Sequence, residues 1–383
     1  MLQVKGKILY TATSDIHLAA FHYPYIKWLD EQGYEVHLAM EKRADLEFSH
    51  ARQIHYMPFP RTPLDRRNVS TYRQLKNLID KEQYDLIHCH TPMPGVLTRL
   101  AARARRKKGA AVLYTAHGFH FFKGAPLKYW LSYFPAEYAL SFITDAIITI
   151  NSEDFTYADK RLHPRKAFMI PGIGIDSGKF RVYSEEEKKA VRLKYGFKQQ
   201  QFLLLYIAEF IPRKNHRFIL ENLPALIRQV PTVQVIFAGR GELMDQMLNL
   251  ARNLRVEDHV RFMGFMHDLG PLAAIADVGI SASRQEGLGL GLAEQMLCGV
   301  PVVATEDRGH KELVIHEQTG LMFPQGDQIA FREALVRFSK EPSLRQKMGN
   351  AARLHAEKFR IEASLDSMRN IYNGYLKPDQ KTD

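Results

Sequence analysis

Glu286 and Glu294 stand eight positions apart in the run EGLGLGLAE, where three glycines separate a polar loop from a helix-forming stretch. Gly299 and Pro301 end that helix, and VPVVAT follows as a short buried strand. The first N–H groups of such a helix have no partner inside it and carry a partial positive charge, which suits a phosphate. The loop residues Gly287, Leu288 and Gly289 let the backbone approach such a ligand closely. One carboxylate lies in the loop and the other in the helix, so each is free to accept from hydroxyls on its own side. The pattern fits a diphosphate at the helix start flanked by hydroxyl-bearing groups. Spacing alone also accommodates a capped helix with a solvated Glu286 and an outward Glu294.

Two further stretches carry candidate chemistry. Arg213 and Lys214 follow the apolar strand FLLLYIAEF and precede a helix, where cations would clamp a diphosphate from the opposite side; two solvated loop cations are the plainer reading. In TAHGFHFFKG, Gly118 permits a tight turn flanked by His117 and His120. An imidazole there hydrogen-bonds a sugar hydroxyl or a phosphate, or simply packs. No carboxylate or thiol accompanies the pair and the loop is aromatic, so no metal is expected. After the first strand, Asp15 and His17 are substrate-side candidates, whereas His90 and Thr91 read as strand-end packing.

The chain has 383 residues, 45% hydrophobic and 25% charged, which points to a globular protein of two domains. Its two cysteines, Cys89 and Cys298, sit in apolar runs without metal spacing, so a disulfide framework is not expected and a reducing cytoplasm is. No apolar run reaches membrane-spanning length, and MLQVKGKILYTAT lacks an apolar signal core. The net charge is +11, densest in RLAARARRKKG at 99–109. Basic residues favour a helix C-terminus, but they also suit an anionic membrane surface. Arg103, Arg105, Arg106, Lys107 and Lys108 are the expected docking residues. Zinc spacing and aromatic–basic RNA-binding motifs are both missing, so no nucleic-acid partner is expected.

Strands and helices alternate through both halves, and the strands are almost continuously apolar. That pattern predicts α/β architecture with two doubly wound, Rossmann-like parallel sheets, ligands binding beyond the strands' carboxyl ends. The expected domains are 1–178, 179–360, and a crossover helix with a polar, fraying tail at 361–383.

In order along the chain, TAHGFHFFKG, PGIGID (171–176), RKN (213–215), AGRGE (238–242), the double-Glu segment and PVVATEDRGHKELV (301–314) resemble retaining family-4 glycosyltransferases of the bacterial exopolysaccharide and capsule type. The resemblance implies the GT-B arrangement, two domains facing a central cleft with the C-terminal helix returning to the first. It implies that Glu286 contacts the donor sugar, Glu294 holds the ribose, Lys214 binds phosphate and His117 approaches the sugar. Arg240, Phe265 and Met266 would sit near the base, uracil.

The implied reaction moves a hexose or N-acetylhexosamine from a nucleotide sugar, UDP-linked, to a polyprenyl-diphosphate-linked or glycan acceptor at the inner face of the plasma membrane. The sequence departs from the family in two places. The turn after the first strand, TATSDIHLAAF, has no glycine, and Glu209 stands where arginine is frequent. No Asp-x-Asp occurs, so neither a metal nor another cofactor is expected, with protein cations and the helix start serving the diphosphate. A nucleotide-sugar epimerase of the same architecture and a non-catalytic nucleotide-binding scaffold are the competing readings.

Overall fold

The computed structural model describes residues 4–60 and 62–376; the expected frayed tail 377–383 lies outside them. Two compact units emerge. One comprises residues up to Gly174 together with those from Ile361 onward, and the other comprises Ile175–Arg360. The units therefore part at 174/175, slightly ahead of the expected domain boundary at 178/179.

The first unit holds a parallel seven-stranded sheet: β1 (Lys7–Ser14), β2 (Glu35–Glu41), β3 (Gln53–Tyr56), β4 (Leu86–His90), β5 (Ala111–Ala116), β6 (Ala146–Thr149) and β7 (Lys166–Met169), in the order β3-β2-β1-β4-β5-β6-β7. Strands β4, β5 and β6 are buried along their whole length, the signature of a sheet covered on both faces. The order reverses between β1 and β4, so a crevice opens at their carboxyl ends. Helix Ile361–Asn373 belongs to this unit. Its Tyr372 stacks on Trp28 and reaches His88 of β4 through a 2.8 Å hydrogen bond, so the helix seals the sheet from beneath.

The second unit repeats the design with β8 (Phe202–Ile207), β9 (Val233–Ala238), β10 (Val260–Gly264), β11 (Val278–Ser281), β12 (Val302–Thr305) and β13 (Gly320–Phe323), ordered β10-β9-β8-β11-β12-β13. Its reversal falls between β8 and β11. One apolar core, built on Leu204, Val235, Phe237, Ile280, Val303 and Phe331, holds the sheet to its helices.

Two local expectations change. The run AAFHYPYIKWLDEQG at 19–33 reads in sequence as one helix closed by Gly33, but it is interrupted at His22: helices Asp15–Phe21 and Tyr23–Glu31 meet there, because Pro24 in the first turn of the second has no N–H to continue the first. Within helix Pro92–Lys107, Arg99 is not part of a basic surface. It is fully buried, donates to both Glu137 oxygens at 2.8 and 3.0 Å and to the Gly95 carbonyl, and lies over the Tyr114 ring. Both cysteines are buried and free.

Candidate functional site

In the second unit, the loops leaving β8 and β11 are stitched across the crevice. The Arg284 N–H donates to the Arg213 carbonyl at 2.8 Å. From β8, the Tyr206 hydroxyl donates to the Lys214 carbonyl at 2.7 Å and accepts from Ser283 at 2.9 Å. This lattice brings the Lys214 ammonium onto one oxygen of Glu286, while Arg213 stands 3.4 Å from the other. Asp307 then fixes the Glu286 loop from the far side, its Oδ1 accepting from the Glu286 N–H at 3.0 Å and the Gly309 N–H at 2.9 Å. A Cβ on Gly309 would come within 2.9 Å of Glu286, so only glycine lets the two segments approach this closely.

Glu286 is buried, and burial alone would push its carboxyl up. Lys214, Arg213 and His310 overrule that and hold it at about 2, so it is an anion throughout the physiological range. Gly289 adopts φ 97° at the cap of helix Leu290–Leu297, which starts the helix against the carboxyl end of β8 near Ile207. Leu288 is buried beneath the loop.

Glu294 sits on the same helix in an opposite condition. No side chain among the described residues hydrogen-bonds its carboxyl, and burial pushes it up to about 8, offset only slightly by Lys179. The two glutamates that read alike in sequence thus differ: Glu286 is held as an anion, whereas burial favours the neutral form of the half-buried Glu294.

Arg240, at the end of β9, lies 4.8 Å over the Phe265 ring, and Phe265 is more than half exposed. The structure therefore brings Arg240 and the Phe265–Met266 turn together at neighbouring strand ends, joined by the Gly239 N–H donating to the Gly264 carbonyl. Sequence reasoning missed His310. Its Nδ1 donates to the Thr305 carbonyl at 2.9 Å, leaving Nε2 buried without a hydrogen-bond partner beside Gly289, in the pocket lined also by Lys214 and Glu286. The available signal was a histidine three residues after an N-capping aspartate at a strand end.

The first unit's crevice is built from imidazoles. His17 and His22 face each other at 3.3 Å between Nε2 atoms, His22 and His90 lie 3.8 Å apart, and His117 meets His17 edge-on at 5.0 Å. His90 stacks on Tyr10, and His88 is hydrogen-bonded on both nitrogens, to Tyr372 and Thr115. Burial keeps these rings neutral: it lowers His17 to about 4 and His88 to about 3, and holds His22, His90 and His117 well below the usual histidine range.

His117 is thus assembled with His17 and His22, and its Nε2 lacks a hydrogen-bond partner. One nitrogen from each of these three rings lies within 4.8 Å of the other two, close enough for a shared transition metal. A second such group, Glu35, His37 and Glu82, is taken up by Tyr84 and Lys7 at the amino ends of β1 and β2. Beside the imidazoles a pocket of about 320 Å³ is lined by Thr13, His17, Arg43, Thr91, His120 and Tyr133.

One substrate-side and one membrane-side expectation are corrected. Asp15 is fully buried, and its carboxylate accepts from the backbone N–H groups of Ile16, Arg43 and Ala44, so it fixes a turn and offers nothing to a ligand. In the basic cluster, Arg105 holds the Tyr84 and Gln83 carbonyls and Arg106 holds Asp145, which leaves Arg103, Lys107 and Lys108 as its exposed cations.

Comparison with known proteins now adds to this geometry. Residues 187–355 match the family model described as glycosyl transferases group 1, and residues 7–151 match the one described as glycosyl transferase 4-like. EpsD of Bacillus subtilis (strain 168), which bears a glycosyltransferase name, is 40% identical over 376 residues, covering 98% of each chain. The Escherichia coli UDP-Gal:alpha-D-GlcNAc-diphosphoundecaprenol alpha-1,3-galactosyltransferase is 27% identical over 322 residues, or 80% of this chain and 81% of that one. Among solved structures, Anabaena Alr3699/HepE in complex with UDP and glucose superposes with a TM-score of 0.77 at 18% identity, covering 96% of this chain and all of that one, which is a likeness of fold.

Proposed function

The chain belongs to the group 1 glycosyl transferases of GT-B type, and from that premise we propose that it transfers a hexose or N-acetylhexosamine, with retention of configuration, from a UDP-linked donor to a lipid-linked diphosphate or glycan acceptor. One observation carries the reading: Lys214 and Arg213 converge on Glu286 at the β8/β11 reversal, beside the start of helix Leu290–Leu297. An ammonium has three donors and a guanidinium five, so both keep N–H groups for a diphosphate while Glu286 orients them. Negative charge that develops on the leaving diphosphate would be met by these cations and by the first-turn N–H groups of the helix.

With both oxygens directed at cations, Glu286 is suited to accepting from sugar hydroxyls and unsuited to attack. Glu294, further along the helix, would accept from the ribose, and Arg240 with Phe265 and Met266 would border the base. The name of the E. coli relative supports both the UDP donor and the polyprenyl-diphosphate acceptor. His117 would approach the sugar from the imidazole cluster. Protein cations take the place of a divalent ion in this mechanism.

The test is Glu286→Gln assayed with UDP sugars and a lipid-diphosphate acceptor, with and without a chelator. Loss of the anion should lower turnover by about 10²–10³, the usual scale for removing one transition-state contact, while UDP binding persists. Chelation should leave the wild-type rate within about twofold. Unchanged turnover in the variant removes the role of Glu286. Conversion of the donor to an isomeric nucleotide sugar without any acceptor would make the protein an epimerase.

A further inference from the structure

The ring of His310 is fully buried, and its two nitrogens meet different surroundings. Nδ1 is committed to the end of β12. It donates to the Thr305 carbonyl at 2.9 Å and stands 3.2 Å from the Thr305 hydroxyl, which itself donates to the Ser283 carbonyl at 2.6 Å. Nε2 is left as a lone pair with no hydrogen-bond partner among the described residues. It faces the Gly289 turn, where a Cβ built on the glycine would fall 3.4 Å from it. Folded proteins seldom keep a buried acceptor without a donor. The neutral ring is the form these surroundings favour: Lys214 and Arg213 already face Glu286, so a third buried cation would have no counter-charge of its own.

The ring also borders a small cavity. Lys214, Glu286 and Ser281 line it with His310, and Ile280 and Leu292 form its apolar side. It leaves about 20 Å³ for the centre of a water molecule. One water needs roughly 10–15 Å³ on that measure, so there is room for one and none for a sugar or a phosphate. A buried water also needs two to four polar partners, and this wall offers a bare imidazole nitrogen, an ammonium and a carboxylate.

We propose that one ordered water fills this cavity, donating to His310 Nε2 and accepting from the Lys214 ammonium, and that His310 is thereby a positioning residue for Lys214. An ammonium has three N–H bonds at fixed tetrahedral angles. One lies on Glu286 and the water takes the second, so the direction of the third is set. Held by Glu286 alone, the ammonium would turn freely about that contact. Charge on a leaving diphosphate is met best by donors already in place. This role rests on the transfer reading given above for Lys214, to which it adds the group that aims the ammonium.

Two substitutions separate the two nitrogens. His310→Asn keeps a donor near Nδ1 for the Thr305 carbonyl and removes the acceptor at Nε2, whereas His310→Gln puts an amide oxygen near Nε2. In the asparagine variant kcat should fall about tenfold, the scale of one hydrogen bond, with KM for the UDP sugar within about twofold of wild type. The glutamine variant should recover most of that loss. In a Lys214→Met background, His310→Asn should cost nothing further, because the ring acts through the ammonium. A crystal structure of the full chain that shows ordered solvent should place a water within hydrogen-bonding distance of both His310 Nε2 and Lys214 Nζ. An empty or collapsed cavity, equal losses in the asparagine and glutamine variants, or an additive loss in the Lys214→Met background overturns the proposal. A Lys214→Met enzyme with wild-type turnover would instead strike at the transfer reading, and the crystal structure would still decide whether the water is there.

Discussion

The two units place their chemistry at the same topological point and fill it with opposite materials. At the β8/β11 reversal stand an anion, Glu286, and the two cations that hold it ionised. At the β1/β4 reversal stand His17, His22 and His90, which burial holds neutral. A doubly wound sheet thus supplies a location and leaves its polarity to the side chains that end the strands. Fixed charges suit a ligand that is itself charged and becomes more so during reaction. Neutral rings and hydroxyls suit one that must be recognised by hydrogen bonds.

That contrast is broken most directly at Lys214. Lys214→Met leaves Glu286 buried against a single, partly exposed arginine and removes the main cation from the crevice. Turnover should fall by about 10³ and UDP affinity by at least tenfold, measured by steady-state kinetics and calorimetry. In His117→Ala, by contrast, UDP affinity should stay within about twofold while turnover falls. Equal losses of UDP binding in both variants would mean that the units do not divide the labour in this way.

Acid should separate the units next. The rings of His22, His88 and His90 are fully buried and their values are depressed, so the stability they lend is complete above the unfolded-state value of about 6.5. It is lost as pH falls below that toward the folded values. Between pH 7 and 5.5 this amounts to about 1 kcal/mol per ring, or about 3 kcal/mol from these three rings, to which His17 and His117 of the same unit add. In the second unit His216, lowered to about 3, acts in the same direction. Glu294 acts against it, because an acid raised to about 8 gains stability as pH falls toward its unfolded value. Trp28 and Trp130, the only tryptophans, both lie in the first unit. Urea unfolding followed by tryptophan fluorescence should therefore lose midpoint between pH 7 and 5.5 by more than unfolding followed by far-ultraviolet circular dichroism. Equal shifts by the two probes would refute the assignment.

The same contrast explains what the sequence made legible. The strand alternation, the Glu286 loop and the cations at 213 and 214 were visible because each is local: a periodicity, a glycine-rich turn, a charge after a strand. The imidazole cluster was not, since positions 17, 22, 90 and 117 become neighbours only when β1, β4 and β5 are laid side by side. Nor was the fate of the charges. Arg99 looked like one of a basic run and is buried on Glu137; Asp15 looked like a ligand and is consumed by three backbone N–H groups. Glu286 and Glu294 look equivalent in the motif, and only the positions of Lys214, Arg213 and His310 separate them.

The smallest expected effect tests that last difference. If Glu294 accepts hydrogen bonds from ribose hydroxyls, the ligand favours its ionised form, and the carboxyl, held near 8 by burial, must give up its proton on binding. Calorimetry of UDP binding at pH 7 in buffers of different ionisation enthalpy should then report release approaching one proton per UDP. Affinity should rise less than tenfold between pH 7 and 8 and level off above. Glu294→Gln should bind without proton release and without that rise, whereas Glu286→Gln should retain both, because Glu286 is already ionised at either pH. Proton release that survives Glu294→Gln would assign the titrating group elsewhere and would leave the ribose without the acceptor proposed for it.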